Sequence, residues 1–270
     1  TLSSANTTGA TASADGSATG TATVGVGVAV GLNLVNATNT AQIGAGDIVH
    51  AKGVMLSALM AGTGTPTDTF SATASSGASA GNVAVAGALA INIVQANSAM
   101  ATIPDNTSVD AGGGAVTITA VDTSSSTADA EPVNEGASST GKLGVGASIA
   151  LNIVPDTTSA TIGDSVPLTN ASDVTLSATG SHTVTTTAVN GASAPDGTGI
   201  GVSAAIAIVN NATSATLGTA SSPLVITGNL SATATHTDVI TTSSNGKAAG
   251  TNAVGIAIAL NVANDSAAAT

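Results

Sequence analysis

Gly144-Val145-Gly146-Ala147-Ser148-Ile149-Ala150-Leu151-Asn152-Ile153-Val154 is the stretch that decides the fold of this chain. Its large and small residues alternate with a period of two, the period at which side chains change faces along a strand. Leu143, Val145, Ala147, Ile149, Leu151 and Ile153 fall on one face, and Gly144, Gly146, Ser148, Ala150, Asn152 and Val154 on the other. The same alternation sets Val24, Val26, Val28, Val30, Leu32 and Leu34 against Gly25, Gly27, Ala29, Gly31, Asn33 and Val35. It returns over residues 83–94. Each copy therefore reads as a strand with a large apolar face and a small-residue face. The large face is expected in a core. The small face carries Gly25, Gly27, Gly144, Gly146, Gly199, Gly201 and Gly255, and is expected to meet another backbone closely.

Aligned on the large residue before the Asn, the copies fall at Leu32, Ile91, Leu151, Ile206 and Leu260, with spacings of 59, 60, 55 and 54. A period of this size marks a repeat array. Residues 1–270 divide into a partial repeat 1–21, repeats of about 22–80, 81–140, 141–195 and 196–249, and a partial repeat 250–270. Polar runs after the long strand, at 36–39, 155–158, 210–213 and 264–266, are expected to be turns. Short strands follow them, and then a Leu-Ser-Ala type triplet at 56–58, 118–120, 176–178 and 230–232. Asp122 to Thr140 is the least patterned region and reads as a projecting loop. The two series of marks alternate at 24 to 35 residues, which suggests two coils per repeat. The expected architecture is an all-β repeat solenoid, a parallel β-helix of 54–60-residue repeats, with no convincing helix. Both ends fall inside a repeat and carry no polar cap, so the array is expected to continue into further repeats or to dock with copies of itself.

Composition narrows the function classes. The 270 residues hold three Lys, no Arg, no Cys and a single Phe, with a net charge of −12. Charged residues make up 7%, against about a quarter in an ordinary domain. Phosphate recognition needs cationic side chains, so nucleic acid is not an expected partner. No run reaches 18 apolar residues without polar interruption, so a transmembrane helix is not expected either. The absence of Cys removes thiolate metal sites.

Gly144 to Val154, then Thr158-Ser159-Ala160-Thr161-Ile162-Gly163, then Asp173-Val174-Thr175-Leu176-Ser177-Ala178 together give a unit that resembles the repeats of very large secreted bacterial adhesins. These are of the filamentous-haemagglutinin and fusobacterial-leukotoxin kind. The resemblance covers essentially the whole chain. It implies a parallel β-helix, export to the extracellular bacterial cell surface, and a role in adhesion or in a surface fibre, with a cell-surface or glycan receptor as a further partner. It implies no catalytic residues in the repeats.

The side chains that could carry chemistry have plainer explanations. Asn33, Asn92, Asn152 and Asn261 recur at one repeat position and read as a structural row of stacked amides. His182 and His236 each follow the aligned Ala by four residues and read as an exposed polar ladder. Asp47, Asp105, Asp156, Asp164, Asp173, Asp196 and Asp265 read as turn residues. No cofactor is expected, although oxygen ligands in such turns would suit calcium. A glycan-cleaving site needs paired carboxylates, which are scattered here, so no enzyme is expected. The alternative to a fibre segment is an ice-binding or other surface-binding β-solenoid, suggested by Thr117-Ile118-Thr119 and Thr183-Val184-Thr185. That reading needs Thr on every coil of one flat face, a condition the Leu-Ser-Ala copies are expected to break.

Overall fold

The computed structural model describes residues 1–20, 22–60, 68–220 and 224–270, and only the backbone of residues 134 and 135. The chain is all-β, with no helix among the described residues. Its strands are β1 (Leu2–Ala5), β2 (Gly9–Asp15), β3 (Val24–Gln42), β4 (Ile48–His50), β5 (Val54–Met60), β6 (Asp68–Ala80) and β7 (Val83–Ile103). There follow β8 (Ser108–Asp110), β9 (Val116–Ser139), β10 (Leu143–Val154), β11 (Asp156–Ile162), β12 (Leu168–Thr169), β13 (Val174–Leu217) and β14 (Leu230–Ala269). Among the described residues, eleven strands form one sheet, and β4, β8 and β12 form a second.

The strand pairs are parallel, and the register follows the repeat. Leu32 lies beside Ile91, Ile91 beside Leu151, Leu151 beside Ile206, and Ile206 beside Leu260. Each repeat is thus hydrogen-bonded directly to the next and makes one rung, not two. Neighbouring rungs are separated by one strand spacing of about 4.8 Å.

Within a rung the chain runs out along one long wall and returns along another. Between the walls the interior changes thickness. At one end Leu56, Ile118 and Leu176 pack with Ile43, Ile103, Ile162, Val109 and Leu168. Further along, the interior thins to alanine: Ala29, Ala88, Ala90, Ala150 and Ala205 meet Ala72, Ala74, Ala128, Ala130 and Ala188.

This thin interior reverses the expected faces. The small residues of the long strands point inward and the large ones outward: Val28 is 62% exposed and Ile149 46%. The reason is steric. A Cβ placed on Gly25 would sit 2.7 Å from the Ser79 carbonyl oxygen, and one on Gly144 2.6 Å from that of Ser193. Gly255 faces the Gly246 carbonyl at 2.5 Å in the same sense, and Gly27, Gly146, Gly199 and Gly201 would overlap a main-chain carbonyl of the facing wall. Valine or leucine cannot enter such a gap, so the alternation must turn them out.

Two further expectations change. The polar runs at 36–39, 210–213 and 264–266 are not turns but continuous strand within β3, β13 and β14, and at 155–158 only Pro155 interrupts the strand, between β10 and β11. Their polar residues alternate inward and outward like the rest; Asn39 and Asn211 are buried. The region from Asp122 to Thr140 is not a loop: Asp122 to Ser139 lie in β9, with Asp122, Ser124, Ser126, Ala128 and Ala130 buried. Its pattern is masked by a register shift after Ala130, where the ladder with β13 resumes at Ala137.

Candidate functional site

Four arrangements of side chains emerge from this register: two outer faces and two interior columns.

The first outer face is formed by the return wall of β1, β2, β5, β6, β9 and the first halves of β13 and β14. One row reads Thr11, Ser71, Thr127, Thr185, Thr241 across five rungs. A second reads Ser3, Ser57, Thr119, Ser177, Thr233. The Leu-Ser-Ala triplet does not interrupt it. Leu56, Ala58, Leu176 and Ala178 are buried, which leaves Ser57 and Ser177 outward. The hydroxyls therefore repeat along the stack at one strand spacing.

The opposite outer face, on β3, β7, β10 and the second halves of β13 and β14, is apolar. Val26, Val85, Val145, Ile200 and Val254 form one row, and Leu32, Ile91, Leu151, Ile206 and Leu260 another. Exposure of single apolar residues is ordinary, but a contiguous face of this kind is not.

Inside, two polar columns run along the stack. In the first, Asn33 Nδ2 donates to Asn92 Oδ1 at 2.8 Å, and Asn92 Nδ2 to Asn152 Oδ1 at 3.0 Å. Ser126 donates to Asn152 Oδ1 at 2.9 Å. The next rung has the buried Ala207 at this position, so Asn261, on the exposed last rung, stands apart from the other three. Removing a central amide leaves its neighbours unpaired. Asn92→Ala is expected to lower the unfolding free energy by about 2–3 kcal/mol, and Asn261→Ala by less than about 0.5 kcal/mol, as read by urea denaturation.

The second column is ionisable and was not legible as such from the sequence. On the outgoing wall Asn97 pairs in register with Asp156, the Asp156 N–H donates to Asn211 Oδ1, and Asn211 pairs with Asp265. The return wall supplies their partners. Asn97 Nδ2 donates to both carboxylate oxygens of Asp122, at 3.1 and 3.0 Å. His182 Nδ1 lies 2.8 Å from Asp156 Oδ2, which also accepts from Ser124 Oγ at 2.9 Å. Asn211 Nδ2 donates to Asp238 Oδ2 at 2.8 Å, and His236 Nδ1 lies 2.9 Å from Thr213 Oγ1.

His182 is 3% exposed, so it is not part of an exposed ladder. Nor does it occupy the same register position as His236. His236 pairs with Gly180, and His182 with Asp238. The offset over this stretch is 56, because Val174 pairs with Leu230, and it returns to 54 only after the irregularity between Ala194 and Thr198. The imidazoles sit side by side at 5.5 Å, tilted by 42°.

Burial controls the charge here. Desolvation, reinforced by the charge of Asp156, pushes the Asp122 carboxyl up to about 7. Asp68 is raised to about 6, chiefly by burial. Burial alone would depress His182, but its hydrogen bond to Asp156 and the charges of Asp156, Asp122 and Asp238 outweigh that and raise it. Asp122, Asp68 and His182 thus all hold their protons to higher pH than they would in water. Among the described residues, two donor sets are also close enough to share one ion: Asp122, Asp156 and His182, and His182, His236 and Asp238, each within 4.8 Å. Carboxylates with imidazole suit zinc or manganese better than calcium, which takes six to eight oxygens.

The aspartates assigned to turns divide. Asp105 accepts from the Asp164 N–H, Asp164 from the Thr219 N–H, and Asp173 from the Asn229 N–H. Each ties one rung's turn to the next. Asp156 is an interior residue instead, and Asp196 and Asp265 lie within strands β13 and β14, not in turns.

No helix is long and apolar enough to cross a membrane among the described residues. No family model, curated protein or solved structure matches this chain.

Proposed function

We propose that this chain is a structural or adhesive segment of an exported bacterial cell-surface fibre, with its parallel rungs wound as a β-helix. The observation that carries the reading is the repetition of one cross-section. Every rung presents hydroxyls on one flat face and aliphatic side chains on the other, so surface chemistry is multiplied along the stack instead of being gathered into a single pocket. Such a design supplies length and many equivalent contacts. Its partners are copies of itself, further repeats of the same kind, and a cell-surface or glycan receptor. Immunogold electron microscopy of intact cells, with antibodies raised against residues 1–270, tests this. Label along filaments outside the envelope is the expected result; label confined to the cell interior contradicts it.

A second reading, binding to ice or another ordered surface, is favoured by the five-rung rows Thr11–Thr241 and Ser3–Thr233. Within each row the hydroxyls repeat at the strand spacing of about 4.8 Å, and the two rows run eight residues apart, about 27 Å along the strands. Thermal hysteresis of the purified chain distinguishes it. A freezing-point gap that Thr127→Lys and Thr185→Lys remove would establish this reading, and no gap would exclude ice.

A further inference from the structure

We propose that the apolar outer face is a homodimer interface, at which two copies of this chain pack sheet against sheet. Val28 and Leu32 on the first rung, Ile149 on the third, and Ile258 and Leu260 on the last lie between 45% and 62% exposed. Between them the intermediate rungs continue the same rows. A monomer does not ordinarily leave a contiguous apolar face this large in water.

Size and charge name the occupant. From Val24 to Leu34 the face is about 33 Å wide, and five rungs make it about 20–24 Å tall, giving roughly 700–800 Å² per copy. That matches the area of about 800 Å² per partner at which specific protein interfaces become stable. The thirty outward positions from Val24 to Leu34 and in the four paired segments contain no charged residue, and their polar members, Thr198 and Asn252, lie at one edge. A charged partner would find nothing to pair with. An anionic lipid surface would need cations, and the chain has three Lys in all. A second copy brings the same flat, uncharged aliphatic surface. A two-fold arrangement closes after one contact, buries both apolar faces, and leaves the two hydroxyl faces outward in water. Sheets pack in this way at about 10 Å.

The test is sedimentation equilibrium and light scattering of the full chain, with two variants. The wild-type chain is expected at about twice 25.0 kDa, without growth to higher mass. Ile149→Lys places a charge near the centre of the face and is expected to weaken the dimer at least about 30-fold, with circular dichroism and monomer melting unchanged because the site is exposed. Thr185→Lys on the hydroxyl face is expected to leave the dimer intact. Three results would overturn the proposal. One is a wild-type monomer at tens of micromolar, whether or not it floats with phosphatidylcholine vesicles. Another is a dimer indifferent to Ile149→Lys. The third is open-ended growth in mass that Ile149→Lys does not alter, the signature of end-to-end stacking.

Discussion

Replacing Gly201 by valine is expected to cost at least about 3 kcal/mol of stability, the upper range for overpacking a rigid interior. Gly201 sits in register between Gly146 and Gly255, and a Cβ there would overlap the Lys247 carbonyl of the facing wall. The obstacle is main chain, held by the parallel ladder between β13 and β14, so no side-chain rotation relieves it. A branched side chain must push the walls apart over several rungs. The neighbouring Val202 points outward, and in the monomer Val202→Thr is expected to change stability by less than about 0.5 kcal/mol. Thermal melts of the two variants at concentrations where the chain is monomeric make the comparison. Equal melting temperatures would mean that the gap between the walls is not filled by backbone.

The second large effect is on pH. Asp122 titrates near 7 when folded, against an ordinary value of 3.8, and Asp68 and Asp129 near 6. A carboxyl whose folded pKa is raised binds its proton more tightly in the folded state. Its contribution is therefore fully present below about pH 4 and is lost as the pH rises through the folded value. His182 works in the same direction: its pKa is also raised, so its contribution is present below 6.5 and is lost above the folded value. The signs agree, and stability is expected to fall by about 2–4 kcal/mol between pH 5 and pH 8. The exposed Asp110 and Asp164 have lowered pKa values, from hydrogen bonds with Asn170 and Thr219, and matter only at lower pH. Asp122→Asn keeps the shape and still accepts from Asn97, but cannot ionise. It is expected to flatten the slope and to be more stable than wild type at pH 8. A slope equal to that of wild type would remove Asp122 from the account.

Much of this architecture was legible because strand alternation and the repeat spacing are both written into the residues. The marks Leu32, Ile91, Leu151, Ile206 and Leu260 are hydrogen-bonded neighbours in the fold. What alternation does not say is which face is inside. The rule that large apolar residues are buried holds where the walls are far apart, as at Leu56, Ile118 and Leu176. It fails where they nearly touch. The deciding signal lay in the return wall: Ala72, Ala74, Ala128, Ala130 and Ala188 alternate with larger outward residues such as Ser71, Thr73, Thr127, Asp129 and Thr187, so both walls have a small face, and two small faces fit together only in a thin interior.

The ionisable column was hidden for a related reason. Asn97, Asp156, Asn211 and Asp265 recur at the repeat spacing, as the Asn33 row does. Polar residues beside Pro155 resemble a turn, however, and a turn reading puts them in water. In a narrow interior the same residues are buried and find partners across the gap. The two-residue slip between His182 and His236 could not be read from the triplets, because it is undone only after Ala194.

In the long strands the small face lies inside and the large face outside. Two adjacent positions test it, since the chain has no cysteine of its own. Ser148 is 2% exposed and Ile149 46%. Single variants Ser148→Cys and Ile149→Cys would be treated with a maleimide under native conditions, at concentrations where each is monomeric, with urea-unfolded samples as the reference. Rapid labelling at 149 and protection at 148 is the predicted result. Protection at 149 with rapid labelling at 148 would contradict the account.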